Sequence, residues 1–275
     1  MDAPQTRPAF VGRAGELARL DAALAEASAG RPRVVLIAGE AGVGKTRLLE
    51  QATDRWRGRD LLVLEGACLP GPAAPPYAPV VEILRSLRRA VEPGALAAIL
   101  GPGRRFITRL VPDLADRSTD LDAQLDPASQ VLVFELVAGA LERLASRAPL
   151  VVVVEDVQWA DASSRGLLDF IARGARPGER LLVLATIRSD DLGNDAPARA
   201  WAAELMRLPI VERIDLGPLP RSDVATLVGD ILGRVPDAGV VAGIMDRTSG
   251  NPFLAEELAA AIDHGERELP GHLRE

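Results

Sequence analysis

The sequence predicts a wound α/β fold, in which helices cover both faces of a parallel sheet. Three observations support this prediction. Short runs rich in Val, Leu and Ile recur along the chain and alternate with segments of helical periodicity. The run 150–154 is apolar throughout, as expected for a strand that is buried on both sides, whereas the last run, 210–216, is a weaker signal. A glycine-rich loop separates the first run from the next helix, and parallel sheets bind ligands at that kind of position.

The elements can be assigned in chain order. Periodicity predicts a helix over 14–28, a strand over 33–38, and a helix that places Leu48, Leu49, Ala52 and Trp56 on one face. Further strands are predicted at 61–65, 150–154, 181–186 and 210–216. Short helices are expected within 80–112, with breaks at 93–94 and 101–103, a long helix over 128–146, and another around Leu167, Leu168 and Ile171. The proline-rich stretch 70–79 reads as an irregular loop, more simply a stiff surface loop than a binding loop.

The last part of the chain differs in character. After 217–220, three apolar stripes at helical spacing predict a small helical subdomain over 219–265 without strands. We therefore expect two domains, an α/β nucleotide-binding domain over 1–217 and a helical lid over 218–275.

Composition excludes several classes of function. The 275 residues are 48% hydrophobic, which suffices for a large core, and the net charge of −7 disfavours nucleic-acid binding through bulk charge. No apolar stretch reaches the length of a membrane span, and the first residues do not resemble a secretory signal. The single cysteine, Cys68, excludes an internal disulfide and suits a reducing cytoplasm. The only histidines are His264 and His272, so neither a zinc site nor a Ser-His-Asp triad is expected in the core.

Lys45 is the only lysine, although Lys and Arg together number 32. It completes the pattern G-x-x-x-x-G-K-[ST], formed by Gly39, Gly44, Lys45 and Thr46. In this pattern, backbone N–H groups and the N-terminus of the following helix bind phosphate oxygens. The lysine is a compact charge that reaches the β- and γ-phosphates, and the hydroxyl of Thr46 is suited to Mg²⁺. The residues predicted to contact nucleotide here are Gly39, Glu40, Ala41, Gly42, Val43, Gly44, Lys45, Thr46 and Arg47.

A second predicted part of the site is acidic. Glu155 and Asp156 follow the buried run 150–154, where carboxylates can hold Mg²⁺ and position the attacking water. The residues leave the two roles unassigned, with a preference for Glu155 at the metal and Asp156 at the water. Arg188, at the end of another strand, is a candidate sensor of the γ-phosphate. Asp161 precedes an apolar helix and is expected to be its N-cap, while Trp159 is expected to serve packing.

These motifs resemble the ATPase module of STAND-class AAA+ proteins, especially that of large ATP-binding regulators of the LuxR type. The resemblance extends over nearly the whole chain. The residues that carry it are Phe10-Val11-Gly12-Arg13, the loop Gly39 to Leu49, the stretch Val151 to Asp161, and Gly250-Asn251-Pro252-Phe253.

The resemblance implies a P-loop NTPase fold with a five-stranded parallel sheet of order 5-1-4-3-2 and a helical lid. By the same resemblance, the residues on the adenine side are Val11, Gly12, Arg13 and Pro252. The catalytic residues are Lys45, Glu155, Asp156 and Arg188. The residues that serve the metal are Thr46, Glu155 and Asp156. The implied ligands are ATP or ADP and Mg²⁺, with slow, regulatory hydrolysis and self-association in the ATP state. Members of this type continue into a winged helix, a repeat sensor and a DNA-binding domain, whereas this sequence stops about where the winged helix would begin. No direct nucleic-acid or membrane partner is expected for these residues.

Other functions remain compatible with the same residues. A non-hydrolysing nucleotide-binding scaffold is one, because the order Glu155-Asp156 inverts the common Asp-Glu order. A small-molecule phosphotransferase is another, although no acceptor site is evident outside the nucleotide site. A replication-initiator-like AAA+ protein is the last, although the chain carries no basic DNA-binding appendage.

Overall fold

The computed structural model describes residues 8–71, 75–101, 104, 106–107, 111, 127–190 and 195–263. Within this part, the chain forms two compact units. The loop-and-lid unit comprises residues 8–17, 39–55 and 215–263, and the sheet unit comprises the described residues of 18–38 and 56–214. These units do not divide the chain at residue 217, where the sequence predicts the boundary between two domains. That boundary therefore stays a prediction.

Helices and strands alternate along the described chain. The helices are α1 (Ala14–Ser28), α2 (Lys45–Trp56), α3 (Ala78–Ala90), α4 (Pro93–Leu100), α5 (Pro127–Arg147), α6 (Ala162–Gly174), α7 (Ala196–Leu205), α8 (Arg221–Leu232), α9 (Ala238–Thr248) and α10 (Pro252–Asp263). The strands are β1 (Arg33–Gly39), β2 (Leu62–Ala67), β3 (Leu150–Glu155), β4 (Leu181–Arg188) and β5 (Val211–Leu216).

The five strands form one parallel sheet of order β2-β3-β4-β1-β5. This confirms the expected order 5-1-4-3-2. In the register of the central pairs, Leu150 of β3 lies opposite Leu62 of β2 and Leu181 of β4. Because the strands are parallel, β1, β3 and β4 end at the same edge of the sheet.

The centre of the sheet is buried because β1, β3 and β4 are apolar on both faces, whereas the edge strands β2 and β5 keep exposed residues. Every residue of β3 before Glu155 is buried, and so is every residue of β4 before Arg188. In the sheet unit, alternate strand residues join one large core with side chains of α3, α4, α5 and α6. This explains why the runs lack the alternation of a half-exposed strand.

Local details differ from the sequence-based expectations. Ala78 and Pro79 begin α3 instead of belonging to an irregular loop. The break between short helices that was expected at 93–94 lies at 91–92, and Pro93 begins α4. Proline is compatible with the first helical turn, because the N–H groups there have no partner within the helix. Helix α7 was not expected; Asp195 caps it by accepting a hydrogen bond from the N–H of Ala198 at 3.0 Å. Residues 72–74 of the proline-rich stretch lie outside the described part.

The lid consists of α8, α9 and α10, with no strand among the described residues 219–263. Its core contains residues of the predicted stripes, namely Val224, Leu227, Val228, Ile244 and Leu258, together with the buried residues Leu219, Ala255 and Ala259. Gly250 has a φ of +81°, and a Cβ there would lie 2.4 Å from the Leu219 carbonyl oxygen. A glycine is therefore required where the chain turns from α9 into α10. His264 and His272 lie outside the described residues.

None of the described helices combines the length and apolar character that crossing a membrane requires.

Candidate functional site

The glycine loop occupies the turn between β1, which ends at Gly39, and α2, which begins at Lys45. Only 7% of Lys45 is exposed, and its Nζ donates to the carbonyl oxygens of Gly39 and Glu40, at 2.8 Å each. Gly42 and Gly44 have φ angles of +74° and +97°, which side chains disfavour. The local geometry is that of an anion-binding loop at a helix N-terminus.

The other loop residues divide into exposed and anchored positions. Glu40, Ala41 and Thr46 are exposed, whereas Val43 is buried. Arg47 is anchored on both sides of its guanidinium: Nη1 forms an ion pair with Glu256, and Nη2 donates to the carbonyl oxygen of Pro8. Arg47 therefore joins the first turn of α2 to α10 within the loop-and-lid unit.

An apolar cleft adjoins this loop within the same unit. It is lined by Ala9, Phe10, Val11, Arg13, Val43, Gly44, Arg47, Leu219, Leu227, Pro252 and Glu256. The structure thus brings Val11, Arg13 and Pro252, expected on the adenine side, together with residues of the loop. Pro252 is the first residue of α10, as its sequence context predicts.

Gly12 and Arg13 form a left-handed turn before α1, with φ angles of +67° and +62°. Gly12 does not line the cleft, and a Cβ there would lie 2.3 Å from Oδ2 of Asp223. The Arg13 guanidinium donates to the carbonyl oxygens of Val43, at 3.4 Å, and Gly217. Its side chain thus connects three segments of the loop-and-lid unit.

In the sheet unit, the acidic pair lies at the end of β3. Glu155 is the last residue of the strand, and Asp156 follows in a left-handed conformation with a φ of +57°. The Asp156 carboxylate accepts a hydrogen bond from Nε2 of Gln158, at 2.9 Å, and its Oδ1 lies 3.5 Å from Nε of Arg188. The N–H of Asp156 donates to the hydroxyl of Thr186, at 2.9 Å.

Gln158 is the buried centre of this group. Only 5% of it is exposed, and its Oε1 accepts a hydrogen bond from the N–H of Arg188 at 3.0 Å. The guanidinium carbon of Arg188 also lies 4.5 Å from the centre of the Trp159 ring, a cation–π distance. Trp159 therefore does more than pack, since it supports the arginine that was predicted as a sensor.

The predicted N-cap role of Asp161 is confirmed. Its carboxylate accepts hydrogen bonds from the N–H groups of Ser163 and Ser164, at 2.9 and 3.2 Å, at the start of α6. Oδ2 also accepts from the N–H of Tyr77, at 3.2 Å. Cys68 is buried just after β2. Burial, followed by the charges of Asp161 and Asp156, raises the pKa of its thiol to about 12.

Among the described residues, no group of three or more His, Cys, Asp and Glu side chains is arranged to hold a metal ion. Mg²⁺ in proteins usually takes one or two protein ligands and completes its shell with water and substrate phosphates. Thr46 and the two acids supply oxygen donors of the required type, and their coordination of Mg²⁺ stays a prediction.

Several residues of the apolar cleft and of the group around Asp156 were not predicted from the sequence. Leu219, Leu227 and Glu256 line the cleft, and Gln158 orients Asp156. Asn251 reaches the loop from the lid. Only Asn251 carried a usable local signal, since an asparagine before a proline often caps a helix.

Comparison with known proteins agrees with this architecture. A family model described as "AAA ATPase domain" matches residues 9–184. An uncharacterized protein of Rhizobium meliloti (strain 1021) is 34% identical over 161 residues. That alignment covers 53% of this chain and 15% of the relative, so the chain spans a small part of that protein.

Two solved structures share the fold at low identity. A Walker-type ATPase of Pyrococcus abyssi superposes with a TM-score of 0.53 at 14% identity, covering 95% of this chain and 72% of the other. The Orc1 protein of Aeropyrum pernix, solved in complex with DNA, gives a TM-score of 0.53 at 16% identity, covering 98% and 65%.

Proposed function

The chain belongs to the AAA ATPase domain family, and on this premise we propose that it is a regulatory ATPase switch. It binds ATP with Mg²⁺, hydrolyses it slowly, and changes the state of its helical lid with the nucleotide. The motif resemblance supports a place in a large LuxR-type transcriptional regulator, where self-association in the ATP state would transmit the switch.

One observation carries the nucleotide proposal, namely the apolar cleft that adjoins the glycine loop. The loop presents backbone N–H groups and the Lys45 charge to phosphates. The cleft offers the apolar side chains of Phe10, Val11 and Pro252 to a purine face. A site that accepts an anion beside an aromatic ring fits a nucleotide better than it fits free phosphate.

The proposed role of Lys45 follows from its contacts. Its ammonium group is held by two carbonyl oxygens of the loop, so its position is restricted before ligand binds. We assign Thr46 as a hydroxyl ligand of Mg²⁺, which neutralises phosphate charge when bound.

The acidic pair supplies the proposed hydrolytic groups. We assign Glu155 to the metal and Asp156 to the attacking water. The Asp156 carboxylate already accepts a hydrogen bond from Gln158 and faces Arg188. Both contacts involve Oδ1, so we assign Oδ2 to accept the proton from the attacking water. Arg188 would act as a sensor by turning from Asp156 towards a γ-phosphate.

The engaged carboxylate also favours a second candidate function, a nucleotide-binding scaffold that does not hydrolyse. In such a protein Asp156 would remain paired with Arg188 in every nucleotide state. Hydrolysis measurements distinguish the scaffold from the switch.

The test compares Asp156→Asn and Glu155→Gln with the unchanged protein by ATP affinity and phosphate release. We expect Asp156→Asn to keep ATP affinity within a few fold and to abolish turnover, because asparagine cannot take up the proton. Glu155→Gln should also weaken the Mg²⁺ dependence of binding. Asp169→Asn is the control, since it removes a half-buried carboxylate that pairs with Arg173 on α6, away from the end of β3.

Each outcome has a distinct meaning. Reversed phenotypes would exchange the roles of the two acids. Turnover that persists in both variants would remove the end of β3 from catalysis. ATP binding without measurable turnover in the unchanged protein would favour the scaffold.

A further inference from the structure

The lid meets the glycine loop at the N-terminus of α10, within the loop-and-lid unit. Nδ2 of Asn251 donates to the carbonyl oxygen of Ala41, at 2.9 Å, across 210 positions of sequence. The N–H of Phe253 donates to the carbonyl oxygen of Gly42, at 3.3 Å. Two consecutive carbonyl groups of the loop are therefore bound from the lid.

Asn251 combines this contact with a second role. Its Oδ1 accepts hydrogen bonds from the N–H groups of Phe253 and Leu254, at 3.1 and 3.4 Å, so it caps α10. Both ends of the amide group are used, and this determines its orientation. The side chain cannot turn away from the loop without also leaving the helix end.

The loop is shaped for this approach. A Cβ at Gly42 would lie 2.9 Å from Oδ1 of Asn251 and 3.0 Å from Cβ of Phe253. A side chain at residue 42 would thus push α10 away, in addition to the strain of its positive φ. Gly42 therefore permits both the turn of the loop and the contact with the lid.

The bound carbonyl groups orient the phosphate donors. The C=O and N–H of a trans peptide point in opposite directions. Because the carbonyls of Ala41 and Gly42 point to α10, the N–H groups of Gly42 and Val43 point away from it. The N–H of Val43 points to the Glu40 carbonyl oxygen, at 3.4 Å, on the inner side of the loop where Glu40 also accepts from Nζ of Lys45. An anion-binding loop needs its N–H groups on that inner side, and a bound phosphate would replace the long contact to Glu40.

We propose that Asn251 is a positioning residue, which holds the glycine loop from the lid in the conformation that receives the phosphates of the nucleotide. The proposal rests on the proposed function and adds a route by which the lid affects it. Without the Asn251 contact, the loop would adopt the receptive conformation for a smaller fraction of the time, and apparent affinity falls by that fraction. The coupling is reciprocal, so bound phosphate should also hold α10 in place.

The decisive variant is Asn251→Ser. Serine keeps a capping oxygen for α10 and adds no charge, but it is too short to reach Ala41. We expect the affinities for Mg-ADP and for inorganic pyrophosphate to fall together, about fivefold, the effect of one net hydrogen bond. Pyrophosphate has no base, so its weakening assigns the effect to the loop and not to the apolar cleft. In the ligand-free variant, amide exchange at Gly42 and Val43 should accelerate.

Two further variants separate this role from helix capping. Asn251→Ala removes the cap as well and should lower thermal stability beyond the serine variant. Asp195→Ala removes the cap of α7 in the sheet unit and should leave pyrophosphate affinity unchanged.

The inference is overturned if Asn251→Ser binds pyrophosphate and Mg-ADP as tightly as the unchanged protein does. It is also overturned if only Mg-ADP is weakened, because the defect would then lie at the base. If the unchanged protein binds neither probe, the proposed function fails, and the inference fails with it.

Discussion

At the scale of single residues, Lys45 shows why one lysine stands in a chain otherwise rich in arginine. Its Nζ lies between two carbonyl oxygens, each at 2.8 Å, and the residue is almost fully buried. An ammonium group suits this enclosed position because it is compact and directs three donors around one atom. A guanidinium group is planar and wider, so it does not fit the same space.

We therefore expect Lys45→Ala to weaken ATP binding about tenfold or more, because it removes the charge nearest the β- and γ-phosphates. Lys45→Arg should not restore the affinity, although it keeps the charge. Isothermal titration calorimetry measures the ATP affinity of both variants. The control is Arg31→Lys, which exchanges arginine for lysine at an exposed position. Normal ATP binding by Lys45→Arg would contradict this explanation.

Cys68 provides a residue-scale prediction about pH. Burial raises the pKa of its thiol from 9.0 to about 12, and only the thiolate reacts with alkylating reagents. At pH 8 the thiolate fraction should be about a thousandfold below that of the unfolded chain. Alkylation of the native protein, followed by mass spectrometry, should be correspondingly slow and should accelerate with pH up to about 12. Equal rates in native and denatured protein would show that the thiol is accessible.

At the scale of elements, α10 is positioned by its first residues. Pro252 begins the helix, Asn251 caps it, and Gly250 makes the turn before it. The three residues serve different purposes, since only Pro252 lines the apolar cleft. The motif is thus a helix start whose middle residue contacts the loop and whose last residue faces the cleft.

Pro252→Ala should test the contact with the base separately from the loop. Removing two ring carbons from the cleft should weaken ATP and ADP by up to about tenfold and leave pyrophosphate unchanged. This is the reverse of the pattern expected for Asn251→Ser. The change should also accelerate amide exchange across 219–263 in the ADP-bound protein. If Pro252 only starts the helix, nucleotide affinity and exchange will both stay as they are.

At the scale of the whole molecule, the proposed switch requires nucleotide binding to be linked to the stability of the fold. A ligand at 100 times its Kd adds about 2.7 kcal/mol to the free energy of unfolding. We expect Mg-ADP to raise the thermal midpoint of the unchanged protein and to raise that of Lys45→Ala by at most about half as much, because a tenfold weaker Kd leaves about 1.4 kcal/mol at the same concentration. Differential scanning calorimetry over a range of Mg-ADP concentrations measures this. A midpoint that rises equally in both proteins would place the nucleotide away from the glycine loop.

Much of the fold could be predicted because its determinants are local. Apolar runs located the five strands, and helical periodicity located the lid helices, since both patterns depend on neighbours within a few positions. Errors occurred at Pro79 and Pro93, where a residue that disrupts helix interiors instead begins a helix. Helix α7 was missed because two of the three residues in its buried stripe, Ala198, Ala202 and Leu205, are alanines, which give a weak apolar pattern.

The sequence by itself therefore determined the glycine loop, the buried strands, the acidic pair and the start of α10. Only the tertiary structure decided which distant groups meet. It paired Asp156 with Gln158 and Arg188, placed Phe10 and Leu227 beside the loop, and brought Asn251 to Ala41. A local pattern records the conformation of its own segment, because backbone sterics and side-chain periodicity act over a few residues. A hydrogen bond between residues 210 positions apart depends on how whole elements pack, and no short stretch of sequence contains that information.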